Sequence, residues 1–278
     1  MDTVFFVDWL SLVFDASWMN LPPGTQPTDK EAEIASYILT HLGAWKACKP
    51  RWGYLQAWRD ALTGAVTQYH AGRPDMGLNV IYPGKSLSLL NWRDVLRHSL
   101  EKEGRPTRID LTVDVRNPEF DLPYLYDHVV GGEIISSARN HRYITSSGGD
   151  TLYVGSRTSE KMLRVYDKGA EQGGQPGVWF RVELEMKGNA ARWAAPVLLD
   201  ASAERVMAII TGFFDAPKHP GWVAAIHSAI PAERIPSDKS RPDTEAWLMT
   251  LVAKTLAAAE RRRPGFMDDF IDEALKFL

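Results

Sequence analysis

A chain of 278 residues, 45% hydrophobic and 24% charged, is long enough to bury a sizeable core, which excludes intrinsic disorder as its default state. Its net charge of −3 excludes a protein whose whole surface coats nucleic acid, so any nucleic-acid site must be local. One cysteine, Cys48, excludes an intrachain disulfide framework and a cysteine-built zinc cluster.

In chain order, Thr3 to Asp15 is dense in Val, Phe, Trp and Leu without a breaker and predicts a buried strand. Thr28-Asp29-Lys30-Glu31 has the capping-box pattern, and Ile34, Ile38, Leu39 and Leu42 keep helical spacing to Trp45. Gly53 to Tyr69 and Gly77 to Tyr82 read as strands, although Leu55 to Val66 fits a helix equally well. Asn91 is placed to cap a helix from Trp92 to Lys102, closed by Gly104 and Pro106. Arg108 to Asp114 then alternates, with Ile109, Leu111 and Val113 on one side and Asp110, Thr112 and Asp114 on the other. A short helix, Leu122 to Val130, stops at Gly131-Gly132 and leads into hairpin-like strands around Tyr143, Tyr153, Tyr166 and Arg181 to Glu185. Ala203 to Phe214 is an amphipathic helix, Ile230 to Pro242 a linker or surface loop, and Thr244 to Arg262 and Gly265 to Leu278 two further helices. Trp9, Trp52 and Trp179 read as core residues of apolar strands. The pattern predicts an α+β fold, a central, largely antiparallel sheet with helices packed on it, with residues 1–229 as the main domain and 230–278 as a C-terminal helical extension. The opening residues lack the basic region and cleavage site of a signal peptide, and no apolar run approaches the roughly 20 residues that span a bilayer. The expectation is a soluble cytoplasmic protein without membrane contact.

The chemistry concentrates in residues 151–187. Tyr166 stands between Arg164 and Lys168, followed at strand spacing by Arg181, Glu183 and Glu185. A phenol flanked by cations and close to paired carboxylates suits phosphoryl transfer to tyrosine, because cations stabilise a phenolate and a pentavalent phosphate together. The pairs Asp110/Asp114 and Glu183/Glu185 repel unless they are solvated, protonated or neutralised. They lie either on the wet face of a sheet or around a hard metal, Mg²⁺ or Mn²⁺, for which oxygen donors are suited. None of the seven histidines forms a His-x-His pair. Arg139, Arg142, Arg157 and Lys161, with Arg164 and Lys168, make residues 136–168 locally basic, and Ser156 and Arg157 sit in a turn able to cradle phosphate or simply to close a hairpin.

Five pieces occur in order over residues 8 to 185: Asp8-Trp9-Leu10-Ser11, Arg108 to Asp114, Leu152-Tyr-Val-Gly-Ser-Arg157, Leu163-Arg-Val-Tyr-Asp-Lys168 and Arg181-Val-Glu-Leu-Glu185. Together they resemble the signature of the replication initiation factor family, which includes initiators of rolling-circle plasmids and filamentous phages and relaxases of some integrative elements. The resemblance implies a fold akin to the His-hydrophobic-His (HUH) endonucleases and a divalent-metal-dependent tyrosine nickase. It implies that Tyr166 attacks the scissile phosphate, leaving a 5′-phosphotyrosyl link and a free 3′-hydroxyl. Asp110 and Glu183 would hold the metal, with Asp114 and Glu185 as further candidates. Arg164 and Lys168, with Arg157, would offset transition-state charge, and Ser156, Arg139, Arg142, Lys161 and Arg181 would contact DNA. Partners implied are origin DNA as a single strand or extruded hairpin, a bacterial host helicase and, since a single nucleophilic tyrosine per chain complicates the second transfer, a second copy. An inactive DNA-binding regulator and a metal nuclease that uses water are the alternatives.

Overall fold

The structure, a computed structural model, describes residues 2–15, 45–70, 73–117, 119–226, 230–236 and 253–276. Contacts divide the chain into two compact units, 1–236 and 237–278. The expected helix after Thr28 lies outside the described residues.

The first unit is built on β1 (Asp2–Phe14), β2 (Trp45–Ala47), β3 (Gln56–Asp60), β4 (Val66–Tyr69), β5 (Leu78–Pro83), β6 (Arg105–Arg116), β7 (Ile135–Ser136), β8 (His141–Ile144), β9 (Thr151–Val154), β10 (Lys161–Asp167), β11 (Phe180–Lys187) and β12 (Phe214–Asp215). Ten of these form one sheet in the order β2-β3-β4-β5-β1-β6-β11-β10-β9-β8, while β12 pairs with β7 apart from it. Every pairing is antiparallel. The segment with two readings, Leu55 to Val66, resolves as a β3–β4 hairpin whose turn is held by Asp60, which accepts from the Thr63 N–H at 3.0 Å and its hydroxyl at 2.5 Å.

The helices of this unit are α1 (Gly84–Leu90), α2 (Trp92–Glu101), α3 (Leu122–Val130), α4 (Lys168–Glu171), α5 (Gly188–Leu199), α6 (Ala203–Phe213) and α7 (Pro220–Ile226). Short polar side chains start four of them: Asn91 accepts from Arg93 N at 3.2 Å, Asp121 from Tyr124 N at 2.7 Å, Asp167 from Ala170 N at 2.9 Å and Ser202 from Arg205 N at 3.3 Å. The core joins these helices to one face of the sheet, where Ile109, Leu111, Val113 and Val115 of β6 and Val182, Leu184 and Met186 of β11 are buried against the alanine-rich α5. On the opposite face a small cluster of Ala57, Val66 and Ile81 packs with Trp9 and Cys48. Trp52 is not core: it is 58% exposed in a turn at φ 55°. Trp179 precedes β11 and is half-buried.

Residues 230–236 are stitched to this unit. Glu233 N–H donates to Ala208 O at 2.8 Å, Arg205 pairs with the Glu233 carboxylate at 3.0 Å, and Lys161 Nζ donates to Ile235 O at 3.1 Å. The second unit contributes α8 (Ala253–Arg262) and α9 (Phe266–Leu275), joined by a turn in which Glu260 accepts from Gly265 N and Met267 N, each at 2.8 Å.

Candidate active site on the polar face of the sheet

Alternation along β6 and β11 that buries Leu111 and Leu184 necessarily turns Asp110, Thr112, Asp114, Arg181, Glu183 and Glu185 to the other face. The antiparallel register lines these residues up in rows. One row runs Phe6, Thr112, Glu183, Arg164, Tyr153, Arg142 across β1, β6, β11, β10, β9 and β8, and the next runs Val4, Asp114, Arg181, Tyr166, Thr151, Ile144. On the far side of the first row, Asp110 faces Glu185. The tyrosine and the carboxylates therefore share one strip, with Glu183 diagonal to Tyr166 on one side and to Asp110 on the other.

The strip is dense with ion pairs. Arg108 grips Asp110 through two bonds of 2.7 and 2.6 Å and also reaches Glu185 at 2.7 Å, to which Lys187 adds a contact at 2.7 Å. Arg164 Nη2 holds both oxygens of Glu183, at 2.8 and 2.7 Å. Arg181 donates to both oxygens of Asp114, at 2.7 and 3.0 Å, and to Asp8 at 3.2 Å. In two of these pairs the cation is the accessible partner: Arg108 and Arg164 keep 32% and 35% of their side-chain surface, against 4% and 5% for Asp110 and Glu183 beneath them, whereas Arg181 keeps only 9% and lies beneath Asp114 and Asp8. An incoming phosphate thus meets the Arg108 and Arg164 guanidinium groups before Asp110 and Glu183.

Asp8 reaches this face because the β1–β6 register shifts between Val7 and Trp9. A bulge places an extra residue in one strand and re-aims its side chain. The carboxylate then settles so close to Gly84 that a Cβ there would lie 2.1 Å from Asp8 Oδ1.

Tyr166 is buried. The Arg164 guanidinium lies 4.7 Å from its ring centre and Lys168 Nζ 5.7 Å. Burial, with the Glu183 charge adding to it, holds the phenol well above its usual range, against Arg181 and Arg164, which favour the phenolate. Burial also works against the charge of Arg164 and Arg181, but Glu183 and Asp114 outweigh it and both stay above the ordinary arginine range. Asp110 is pushed up to about 7 by burial, with Glu183 and Glu185 contributing, in spite of its bonds to Arg108.

This face carries the motif pieces in family order, and the model of the replication initiation factor family matches residues 104–275. The chain belongs to that family. Among known proteins it is 33% identical over 122 residues to the Bacillus subtilis (strain 168) protein named "Putative DNA relaxase NicK", an alignment spanning 39% of this chain and 35% of that one. The fold is similar to a solved structure of a rolling circle replication initiator protein from Geobacillus stearothermophilus, with a TM-score of 0.64 and 22% identity over 84% of this chain and 94% of the other. As expected for the family, the architecture is α+β on a large antiparallel sheet, and among the described residues no helix is long and apolar enough to cross a membrane.

Most of the expected residues converge on the strip: Tyr166, Arg164, Lys168, Arg181, Asp110, Asp114, Glu183 and Glu185. Lys168 opens α4 instead of extending β10, and its amine pairs with Glu171. Arg142 and Arg157 stand at its outer side, within 5.3 and 5.6 Å of the Tyr153 ring. Lys161 is not brought there: it follows the parity of Leu163 and Val165 and donates to Ile235 O on the helix-covered side. Ser156 spends its hydroxyl on Thr158, at 2.9 Å, and Arg139 lies in the exposed loop before β8. Reasoning from residues passed over Asp8, Arg108, Lys187 and Gly84. Asp8 and Arg108 lie within quoted motifs, but only the register shows that they complete this site.

Among the described residues no three carboxylate, histidine or cysteine side chains converge on one point. The donors nevertheless fit a hard divalent cation of the Mg²⁺ type, which is typically held by one or two carboxylates together with substrate phosphate and water. Asp110 and Glu183 are hard, buried oxygen donors, and Thr112 Oγ1 beside them is a buried oxygen without a partner among the described residues.

Proposed function

We propose that this protein nicks and rejoins single-stranded or extruded origin DNA through Tyr166, in rolling-circle replication or strand transfer. The observation that carries the reading is the placement of one buried phenol between Arg164, Lys168 and Arg181 on the same strip as the Asp110, Glu183 and Glu185 carboxylates. The Bacillus subtilis relative, named as a DNA relaxase, and the Geobacillus rolling circle replication initiator of similar fold support it.

The Tyr166 oxygen attacks phosphorus, the bond from phosphorus to the 3′ oxygen breaks, the phenolic proton is lost and the leaving oxygen gains one. The product is a 5′-phosphotyrosyl link and a free 3′-hydroxyl, and because one ester replaces another the step reverses without outside energy. Arg164 and Arg181 favour the phenolate and compensate charge on the phosphate as it becomes pentavalent. Lys168 is placed to do the same. Most of the rate comes from positioning a single strand over a strip whose charges are already fixed in place. Asp110 and Glu183, with Glu185 beside them, would hold Mg²⁺ or Mn²⁺, which supplies electrophilic activation and orientation of the phosphate. The bidentate grip of Arg181 makes Asp114 a positioning residue for that guanidinium.

The test is adduct formation. Wild-type protein with Mn²⁺ and single-stranded origin DNA should give a covalent complex stable to denaturation, and Tyr166→Phe should give none. Cleavage that survives in Tyr166→Phe without an adduct would instead make the protein a nuclease that uses water, and origin binding without cleavage in any divalent metal would make it a DNA-binding regulator.

A further inference from the structure

Arg108, Arg164 and Arg181 are each committed to a carboxylate, but the outer end of the strip is built differently. Tyr153 stands in register with Arg164 on β10 and with Arg142 on β8, so its ring belongs to the same row as Glu183 and Arg164. The Arg142 guanidinium lies 5.3 Å from its ring centre and that of Arg157 5.6 Å. Among the described residues neither arginine takes part in an ion pair. The contrast with Tyr143 is informative. That ring, turned to the helix side, stacks on Tyr126 at 4.7 Å and donates its hydroxyl to Asp150 at 2.6 Å, as a structural tyrosine does. Among the described residues Tyr153 has guanidinium groups for ring neighbours.

The position is fixed by the backbone. Gly155, at φ 97°, turns the chain after β9, and its N–H donates to Asn140 O at 2.7 Å. The turn continues with Ser159 N–H donating to Ser156 O at 3.0 Å, and Lys187 Nζ donates to the Arg157 carbonyl. Arg157 is therefore returned over Tyr153 by a braced turn. Diagonal neighbours on adjacent antiparallel strands lie roughly 7–8 Å apart, which is the relation of Tyr153 to Tyr166.

We propose that Tyr153, with Arg142 and Arg157 beside it, is a stacking platform for a base of the single strand within one or two nucleotides of the phosphate that Tyr166 attacks. Aromatic rings and guanidinium planes stack on any base, and guanidinium groups without carboxylate partners are available to the flanking phosphates. The occupant is single-stranded DNA and not duplex, because a paired base keeps its faces in its own stack. The inference rests on the nicking reading of the strip and adds the residue that holds the strand in place.

Full-length Tyr166→Phe protein, in which the covalent step is blocked, is titrated with a fluorescein-labelled oligo-dT strand at several salt concentrations. Tyr153→Leu in that background should weaken binding about 5- to 100-fold while leaving the salt dependence unchanged, as loss of one base stack predicts. Tyr153→Phe should bind like its parent, and Arg142→Ala should lower the slope of log affinity against log salt by about 0.7. Thermal melting of each variant separates a folding defect, and a 2-aminopurine base placed within the strand, quenched by the parent protein but not by Tyr153→Leu, reports the stack directly. Unchanged affinity in folded Tyr153→Leu, or equal loss in Tyr153→Phe, overturns the platform while the adduct assay leaves the nicking reading standing. A parent protein that binds no single strand, together with a wild type that forms no adduct, overturns both.

Discussion

At the scale of single residues, the setting of Tyr166 depends on a chain of contacts that begins beyond β1, three strands away. Gly84 leaves room for Asp8, Asp8 and Asp114 together hold Arg181, and Arg181 is the cross-strand partner of Tyr166. Gly84→Ala should break that chain with little cost to the fold. The added methyl meets mainly the end of a side chain that can rotate, and its 3.1 Å approach to the Asp8 carbonyl oxygen needs a shift of only a few tenths of an ångström. Melting should therefore move little, while adduct formation should fall about ten- to a hundredfold as Asp8 leaves Arg181. Asp8→Ala should produce the same defect, and combining the two should add nothing, since both act through one contact. A full additive loss in the double variant would break the proposed chain. Of this site, Tyr166, its cations and the four strand carboxylates were legible in the sequence, because residue type and alternation suffice to put them on faces. Asp8 was not, since a one-residue bulge overrides alternation, and the pairing of Arg108 with Asp110 and Glu185 depends on register.

Elements were legible where their ends carry chemistry. Asn91 announces the helix that follows it, Gly131-Gly132 marks the end of another, and the alternation of β6 is complete. Two helices gave no such signal. α1 follows Pro83 directly, and α5 starts at a glycine at φ 54°, has no capping side chain and contains Pro196, so its identity comes from alanines pressed onto β6 and β11. The start of α7 supports a prediction of its own. His219 is fully buried, with Nε2 3.0 Å from Asp121 O and Nδ1 accepting the Trp222 N–H at 2.9 Å, which defines a neutral ring. Burial lowers its pKa, the neighbouring His128 adds to the effect, and the contact with Asp121 O opposes it. The unfolded chain takes up a proton near the usual histidine value, about 6.5, whereas the folded state resists it. The contribution to stability is therefore complete above that pH and is lost as pH falls below it. His219→Gln should melt with a shallower dependence on pH between about 7 and 5 than wild type. Parallel curves for the two proteins would mean that His219 takes its proton in the folded state as readily as in the unfolded one.

At the scale of the whole molecule, the question is how much of the chain the chemistry needs. The buried hydrophobic residues of the main core run from Val7 to Ile235, and the division into units falls immediately after, at Pro236. The last stretch before that division is fastened by the Arg205–Glu233 pair and by Lys161 on Ile235 O, so it belongs to the first unit energetically as well as in sequence. In the second unit α9 buries none of its residues, and α8 and α9 meet through a polar turn and the Arg263–Asp269 pair, 61% and 70% exposed, which contributes little. Independent folding follows from which residues are buried, not from chain length. A chain ended after Pro236 should therefore melt cooperatively at nearly the wild-type temperature and keep the Tyr166-dependent adduct within a few-fold, because every residue of the strip lies before that point. The family match, however, continues to residue 275, so residues 237–275 belong to what the family shares. The truncated chain is accordingly expected to keep the covalent step and to be impaired only in a step beyond it, such as recognition of duplex origin DNA or a second transfer. Circular dichroism melting and the adduct assay on single-stranded DNA, run side by side on the two lengths, decide the matter. A shortened protein that melts normally but forms no adduct would place part of the catalytic apparatus in the C-terminal helices, and one that fails to fold would mean that the core of the first unit is not sufficient by itself.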